Sequence, residues 1–184
     1  MSVVSLVEPD QAPLLAAPHY RATGTSPIVT SLAHVPEALD VTLPFVSVVL
    51  GPSAIDGRTK ELVIVRTSAL LECRYCVETH SAVALDHGVT AAEIGALRGT
   101  ASREPIVADD AERALLAWVH AVAVGHGAVA DELAETLKAH WSEAEIVELT
   151  LLCAATLMLN RYCSALALPT SPETLRRLEA EGLR

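Results

Sequence analysis

The apolar residues of this chain fall in blocks bounded by helix-start and helix-stop signals, and no block reads convincingly as a strand. Pro36-Glu37 opens a helix that Gly51-Pro52 ends, and Asp56 is placed to cap a second one running through Glu61. No Gly or Pro interrupts residues 58–87, and His87-Gly88 supplies a stop, so helix is expected across that stretch and on through Cys73. Thr90-Ala91-Ala92-Glu93 and Ser142-Glu143-Ala144-Glu145 both fit the capping box, in which hydroxyl and carboxylate satisfy orphan backbone N–H groups reciprocally. Residues 109–124 and 131–140 read as helices separated by Gly125-His126-Gly127, and Ser171-Pro172-Glu173 opens the last. Ahead of these, residues 1–35 carry Pro9, Pro13, Pro18, Gly24 and Pro27 with no sustained period, which predicts an irregular arm packed on a partner subunit. Residues 36–184 form a single all-α domain in this reading.

The pattern also contains an internal echo. Shifted by 87 positions, Glu61-Leu62 falls on Glu148-Leu149, Leu70 on Leu157, and Arg74-Tyr75-Cys76 on Arg161-Tyr162-Cys163. Six identities over residues 61–76 exceed the one or two expected by chance for about this composition, so a duplicated helical unit is the better explanation, with halves around 56–88 and 142–170. Residues 62–65 and 149–152 are apolar nearly all round, and helices of that kind must be covered on every side. A small domain rarely does this alone, which predicts a homo-oligomer.

Composition narrows the setting. A chain of 184 residues, 51% apolar, can build one substantial core, but with 3% aromatics that core must be Ala, Leu and Val, which favours close-packed helices. The formal net charge of −10 argues against nucleic acid or an anionic membrane as partner. A secretory signal is not legible, because the first basic residue is Arg21 and Glu8-Pro9-Asp10 breaks the apolar start. The longest apolar stretch, residues 149–159, is too short to span a bilayer. A cytoplasmic protein is expected, and in that reducing compartment a Cys-x-x-Cys pair is more often catalytic or metal-binding than a permanent staple.

The candidate chemistry lies in Cys73-Arg74-Tyr75-Cys76, His80 and the upstream Glu61. In a helix, Cys73 and Cys76 are i,i+3 and Cys76 and His80 are i,i+4, so all three share one face. A thiol attacks as its anion, which a helix N-terminus and a neighbouring imidazole both favour, and Glu61 is suited to orient that imidazole. Such a relay makes Cys76 the nucleophile and Cys73 the resolving partner, although the Cys-x-x-Cys pattern alone points to the first thiol. The matching reaction is reduction of a peroxide or disulfide: a sulfenic acid on Cys76, condensation with Cys73, and regeneration by an outside dithiol, with no bound cofactor. Zinc is an alternative, since Cys73, Cys76 and His80 could furnish three ligands, but no second Cys-x-x-Cys or His pair supplies the fourth and Cys163 or a carboxylate would have to. Cys153 and Cys163 read as core or interface thiols, and Glu72 and Glu78 as solvated. Tyr75, Trp118 and Trp141 could line a pocket but, in so aromatic-poor a chain, fit core or interface better.

These residues resemble a known family. Glu61, Cys73-Arg74-Tyr75-Cys76 and His80, with Asn160-Arg161 and Leu166-Ala167-Leu168-Pro169 further on, are similar to the AhpD-like, alkylhydroperoxidase-like branch of the carboxymuconolactone decarboxylase family. The resemblance implies an AhpD-like all-α fold assembled as trimers or hexamers, with peroxidase and disulfide reductase activity on small hydroperoxides and a thioredoxin-like or lipoyl dithiol as electron donor. It implies that Cys76 forms the sulfenic acid, that Cys73 is proton donor and resolving thiol, and that Glu61 and His80 are the proton relay. AhpD itself carries a second histidine just before the second Cys, where this chain has Tyr75, a poor base near neutral pH. A non-enzymatic redox-sensing oligomer and a decarboxylase-like enzyme with a non-redox substrate are the alternative readings.

Overall fold

The computed structural model describes residues 2–22, 24–99 and 109–184. Among them the regular elements are all helical: α1 Pro27–Leu32, α2 Pro36–Leu50, α3 Gly57–Leu70, α4 Arg74–Asp86, α5 Ala91–Leu97, α6 Asp110–Val124, α7 Asp131–Lys138, α8 Glu143–Ala165 and α9 Pro172–Ala180. Their starts are chemically specified. Asp56, Thr90, Asp109, Ser142 and Ser171 each accept a backbone N–H three residues on, and Thr90 and Ser142 complete capping boxes with Glu93 and Glu145.

The arm departs from expectation. Two 3-10 turns, Pro9–Gln11 and Ala17–His19, and helix α1 lie within it, because Ser26 caps and Pro27 starts a helix, a pairing hidden when prolines are read only as breakers. The arm packs on its own chain: Val3 N–H donates to Leu166 O, Val7 N–H to Thr30 O, and the Ser31 and Tyr162 hydroxyls lie 2.9 Å apart.

Helix α3 is the hub. It contacts α4, α5, α6 and α8, and Leu62, Val63, Ile64 and Val65 are all buried within this one chain. The expectation that this run needs a partner subunit for cover is therefore corrected: neighbouring helices surround it, each fully buried aliphatic side chain contributing about 1.5–3 kcal/mol. On one side lie Leu115, Val119, Leu149 and Leu152 from α6 and α8; on the other, Ile94, Leu97 and Leu178 from α5 and α9. Gly57 lets α3 approach the end of α4, since a Cβ there would sit 2.3 Å from the His87 ring. Helix α8, 23 residues and apolar, meets a membrane-span test by length and composition. It nonetheless packs against α2, α3, α4, α6 and α7 within the bundle.

Helix is not continuous through residues 58–87. Glu72 takes φ +55°, its N–H donates to Ala69 O, and Cys73 N–H donates to Ser68 O at 3.0 Å. That pair of bonds is a Schellman ending, formed here without glycine. Cys73 then turns extended and its carbonyl accepts from Val77, making it the N-cap of α4.

Candidate active site

The helix break decides where the thiols sit. Cys73 closes α3 with its N–H and opens α4 with its C=O, so its side chain stands at the N-terminus of α4, where the dipole favours an anion. Cys76 lies in the first turn of α4 and His80 one turn later. Across from them α8 brings in Cys163. Cys73, Cys76 and Cys163 form one buried cluster with Tyr75 and Leu168, and all are free thiols. Cys153 is elsewhere, 3.4 Å from the Thr67 hydroxyl in the main core.

The cluster concentrates negative charge on one sulfur. Hydrogen bonds from Cys163, then Cys76, with help from Ser164 and the Cys76 backbone, hold the Cys73 thiol far below its usual value, at about 2. Cys76 is pushed up to about 12: its contact with Cys163 favours the thiolate, but its bond to Cys73, burial and the Cys73 charge outweigh that and a further pull from Asn160. Cys163 is driven upward by its bonds to Cys73 and Cys76 and by burial. The three therefore titrate as a group whose first proton leaves readily and whose second does not. Burial, then the charges of Cys163 and Cys76, raise the Tyr75 phenol, which keeps it neutral.

Glu61 and His80, nineteen residues apart, meet across α3 and α4, with Nδ1 2.9 Å from Glu61 Oε2. With Nδ1–H donating to the carboxylate, Nε2 is the basic nitrogen. Glu61 is buried and His80 is 22% exposed at its side chain, so this carboxylate is committed to the ring rather than to solvent.

Two cavities flank the sulfurs. The larger, about 480 Å3, is lined by Cys73, Cys163, Tyr75, Arg74, Glu78 and Thr170. The smaller, about 60 Å3, is lined by Cys76, His80, Tyr75, Thr79, Ile28 and Thr156. Cys76 and His80 thus share a chamber, Cys73 faces away from it into the other, and Tyr75 borders both. The single shared face expected for all three groups is not formed, because Cys73 precedes the helix. Glu78 is buried rather than solvated: Arg74, one turn earlier, covers it with an Nε–Oε1 contact of 3.0 Å. Thr170 Oγ1 is buried without a partner beside the larger cavity.

Sequence reasoning missed Cys163 and Asn160. Asn160, which the 87-residue shift aligns with Cys73, donates to Ser68 Oγ at 3.0 Å and adds a pull on the Cys76 thiol. The signal was present: the echo made Cys163 equivalent to Cys76, and duplicated units that pack on each other bring equivalent positions together. Trp118 and Trp141 line neither cavity; their indoles bond Thr150 Oγ1 and Ala111 O beside the main core. Among the described residues, no group of three His, Cys, Asp or Glu is arranged to hold a metal ion.

Residues 36–121 match the carboxymuconolactone decarboxylase family. Among solved structures, an AhpD-core, peroxidase-related protein from Ralstonia eutropha JMP134 superposes with a TM-score of 0.84 at 17% identity, covering 94% of this chain and 94% of that one. A protein of unknown function from Agrobacterium tumefaciens, with a suggested antioxidant-defence role as AhpD, gives 0.70 at 29% identity over 77% of this chain and 95% of its own. The debrominase Bmp8 gives 0.79 at 19% identity, covering 98% of each chain. No curated protein matches the sequence.

Proposed function

Because the chain belongs to the carboxymuconolactone decarboxylase family and has an AhpD-like helical fold, we propose that it is a cysteine-based hydroperoxide reductase. The fold alone does not choose the reaction, since a debrominase shares it. The observation that carries the reading is the Glu61–His80 bond in the chamber of Cys76, with Cys73 in thiol contact behind. His80 Nε2 takes the Cys76 proton; the thiolate attacks the peroxide, forming an S–O bond, breaking O–O and leaving Cys76 sulfenic acid. The departing alkoxide takes the proton back from His80 and leaves as the alcohol. The Cys73 thiolate then attacks the Cys76 sulfur, the S–S bond forms as the S–O bond breaks, and the hydroxide leaves as water with a proton from solvent, to which Cys73 had released its own. The Cys73–Cys76 disulfide has taken up the two-electron oxidation, and an external dithiol, thioredoxin-like or lipoyl, returns the electrons.

A second reading has one observation behind it. The resting thiolate is favoured on Cys73, which faces the larger cavity, so a bulkier electrophile would meet Cys73 first. Trapping the sulfenic acid with dimedone discriminates the two, because the label falls on Cys76 in the first and on Cys73 in the second.

The reading includes a cytoplasmic homo-oligomer, a trimer or hexamer. Val41, Phe45 and Val48 of α2 and Val147, Leu151 and Met158 of α8 are exposed on two helices that touch, an apolar surface suited to another copy. The test is peroxide consumption coupled to dihydrolipoamide or thioredoxin. Wild type is expected to turn over and Cys76→Ser to lose turnover; activity that survives the substitution, or wild type that consumes no peroxide with any donor, overturns the proposal.

A further inference from the structure

The proposed reaction uses two of the three clustered thiols and leaves Cys163 without a task. The three sulfurs are mutual neighbours in one buried cluster: Cys76 faces the small chamber with His80, whereas Cys73 and Cys163 share the large cavity. The small chamber, about 60 Å3, has room for only a few water-sized groups and so suits a peroxide but not a dithiol reductant. The large one, about 480 Å3, is where such a donor fits. A Cys73–Cys76 disulfide therefore offers the donor only its Cys73 sulfur, with the Cys163 thiol beside it, whereas a Cys73–Cys163 disulfide lies wholly on the donor's cavity.

The geometry points to Cys163 as a third redox thiol that carries the disulfide from the peroxide chamber to the donor cavity. The Cys163 sulfur attacks the Cys73 sulfur of the Cys73–Cys76 bond; the Cys73–Cys163 bond forms, the Cys73–Cys76 bond breaks, and Cys76 leaves as a thiolate that takes up the proton Cys163 gives up. No electrons enter or leave in this exchange. An external dithiol then attacks the Cys73–Cys163 bond, and its second thiol resolves the mixed disulfide, delivering two electrons and two protons. In the resting state Cys163 is a reluctant nucleophile because it donates to the Cys73 thiolate. Once Cys73 is in a disulfide that anion is gone, and with it the main reason Cys163 holds its proton. The exchange is thus switched on by oxidation.

This inference depends on the peroxidase reading only for the source of the first disulfide, so its test has an arm without peroxide. Wild-type protein is oxidised with one equivalent of diamide, or separately of hydrogen peroxide. Remaining thiols are blocked with N-ethylmaleimide, and unreduced tryptic peptides are mapped by mass spectrometry; Arg66, Arg74, Arg98, Arg161 and Arg176 place the three cysteines in separate peptides. A Cys73–Cys163 linked pair is expected in both arms. Cys163 recovered fully blocked while Cys73–Cys76 is linked overturns the relay, and peroxide consumption in that case leaves the peroxidase reading standing. A Cys73–Cys163 pair from diamide without any peroxide consumption supports the relay and removes the peroxidase reading. In a folded Cys163→Ser, donor-driven turnover is expected to fall several-fold further than the rate of the single stoichiometric reaction with peroxide; equal falls in the two, or full donor-driven turnover, overturn the relay as well.

Discussion

Residues 61–76 and 148–163 are six-sixteenths identical and take different shapes, one broken between α3 and α4, the other a continuous stretch of α8. The break turns on Glu72, left-handed at φ +55°, which lets Cys73 leave α3 and cap α4. At the equivalent place Leu159 and Asn160 continue the helix. Other matched residues diverge in the same way. Glu61 holds His80, whereas Glu148 lies 2.9 Å from the buried Lys60 Nζ, which also donates to Gly51 O at the end of α2. One local difference of backbone thus separates a segment that carries Cys73 at a helix N-terminus and the Glu61–His80 pair from its echo. The echo is a supporting wall that still lends Asn160 and Cys163 to the site.

The sharpest way to break this contrast is to neutralise the two matched carboxylates. Glu61→Gln is expected to lower kcat by about a hundredfold, since the ring loses the group that sets its tautomer and basicity. Glu148→Gln is expected to leave kcat unchanged and to cost about 1 kcal/mol of stability in urea titration, because buried Lys60 keeps its two carbonyl partners but loses its ion. A bond from Ser53, then Lys60, holds the Glu148 carboxyl below its ordinary 4.5. Its stabilising contribution is therefore fully present above the ordinary carboxylate range and is lost as pH falls through the lowered value. The stability gap between wild type and Glu148→Gln should be widest above about pH 5 and close in acid. Comparable losses of kcat in both variants would remove the division of labour.

Asn160 tests the lending itself. Asn160→Ala removes a buried donor shared between Ser68 and Cys76, an expected cost of about 1–3 kcal/mol. Because that contact favours the Cys76 thiolate, iodoacetamide labelling of Cys76 should slow at a given pH and its midpoint move further up, while Cys153 labelling does not change. A variant that is merely less stable, with the Cys76 profile unmoved, would make Asn160 a structural residue only.

How far this was legible from sequence depends on the kind of signal. Helix starts were readable because caps are local: Asp56, Thr90, Ser142 and Ser171 each satisfy a backbone N–H three residues away, and the helices begin there. The Glu61–His80 pairing was readable in kind, since a carboxylate and an imidazole flanking a dithiol invite it. The break at Glu72 was not, because a left-handed Glu carries none of the glycine signal that marks such endings. That one omission placed Cys73 on the face of Cys76 and hid the two-chamber arrangement. Cys163 was signalled only by the echo, because its contact with Cys73 crosses between α4 and α8 and depends on how the two segments dock. The exposed α2 and α8 residues show the same limit, since an apolar run announces burial but not which neighbour supplies it.

The smallest effect addresses the break directly. Glu72 and Ala167 both occupy the left-handed position of a Schellman ending, one before α4 and one after α8, where Leu168 N–H donates to Cys163 O at 3.0 Å. A side chain in that region costs roughly 1–2 kcal/mol, and glycine returns part of the gain as unfolded-chain entropy, so each Gly variant should be more stable by about 0.5–1 kcal/mol. If the break is a property of the sequence around Cys73 and not a strain imposed by the site, Glu72→Gly keeps its turnover and its Cys73 labelling profile while its midpoint in urea rises. A Glu72→Gly variant that gains stability but whose Cys73 labelling midpoint moves up in pH would mean that the strained residue is what holds the sulfur at the α4 N-terminus. The difference between the two copies would then rest on restraint of one backbone angle, with Ala167→Gly, whose helix ending adjoins Cys163 rather than Cys73, as the matched comparison.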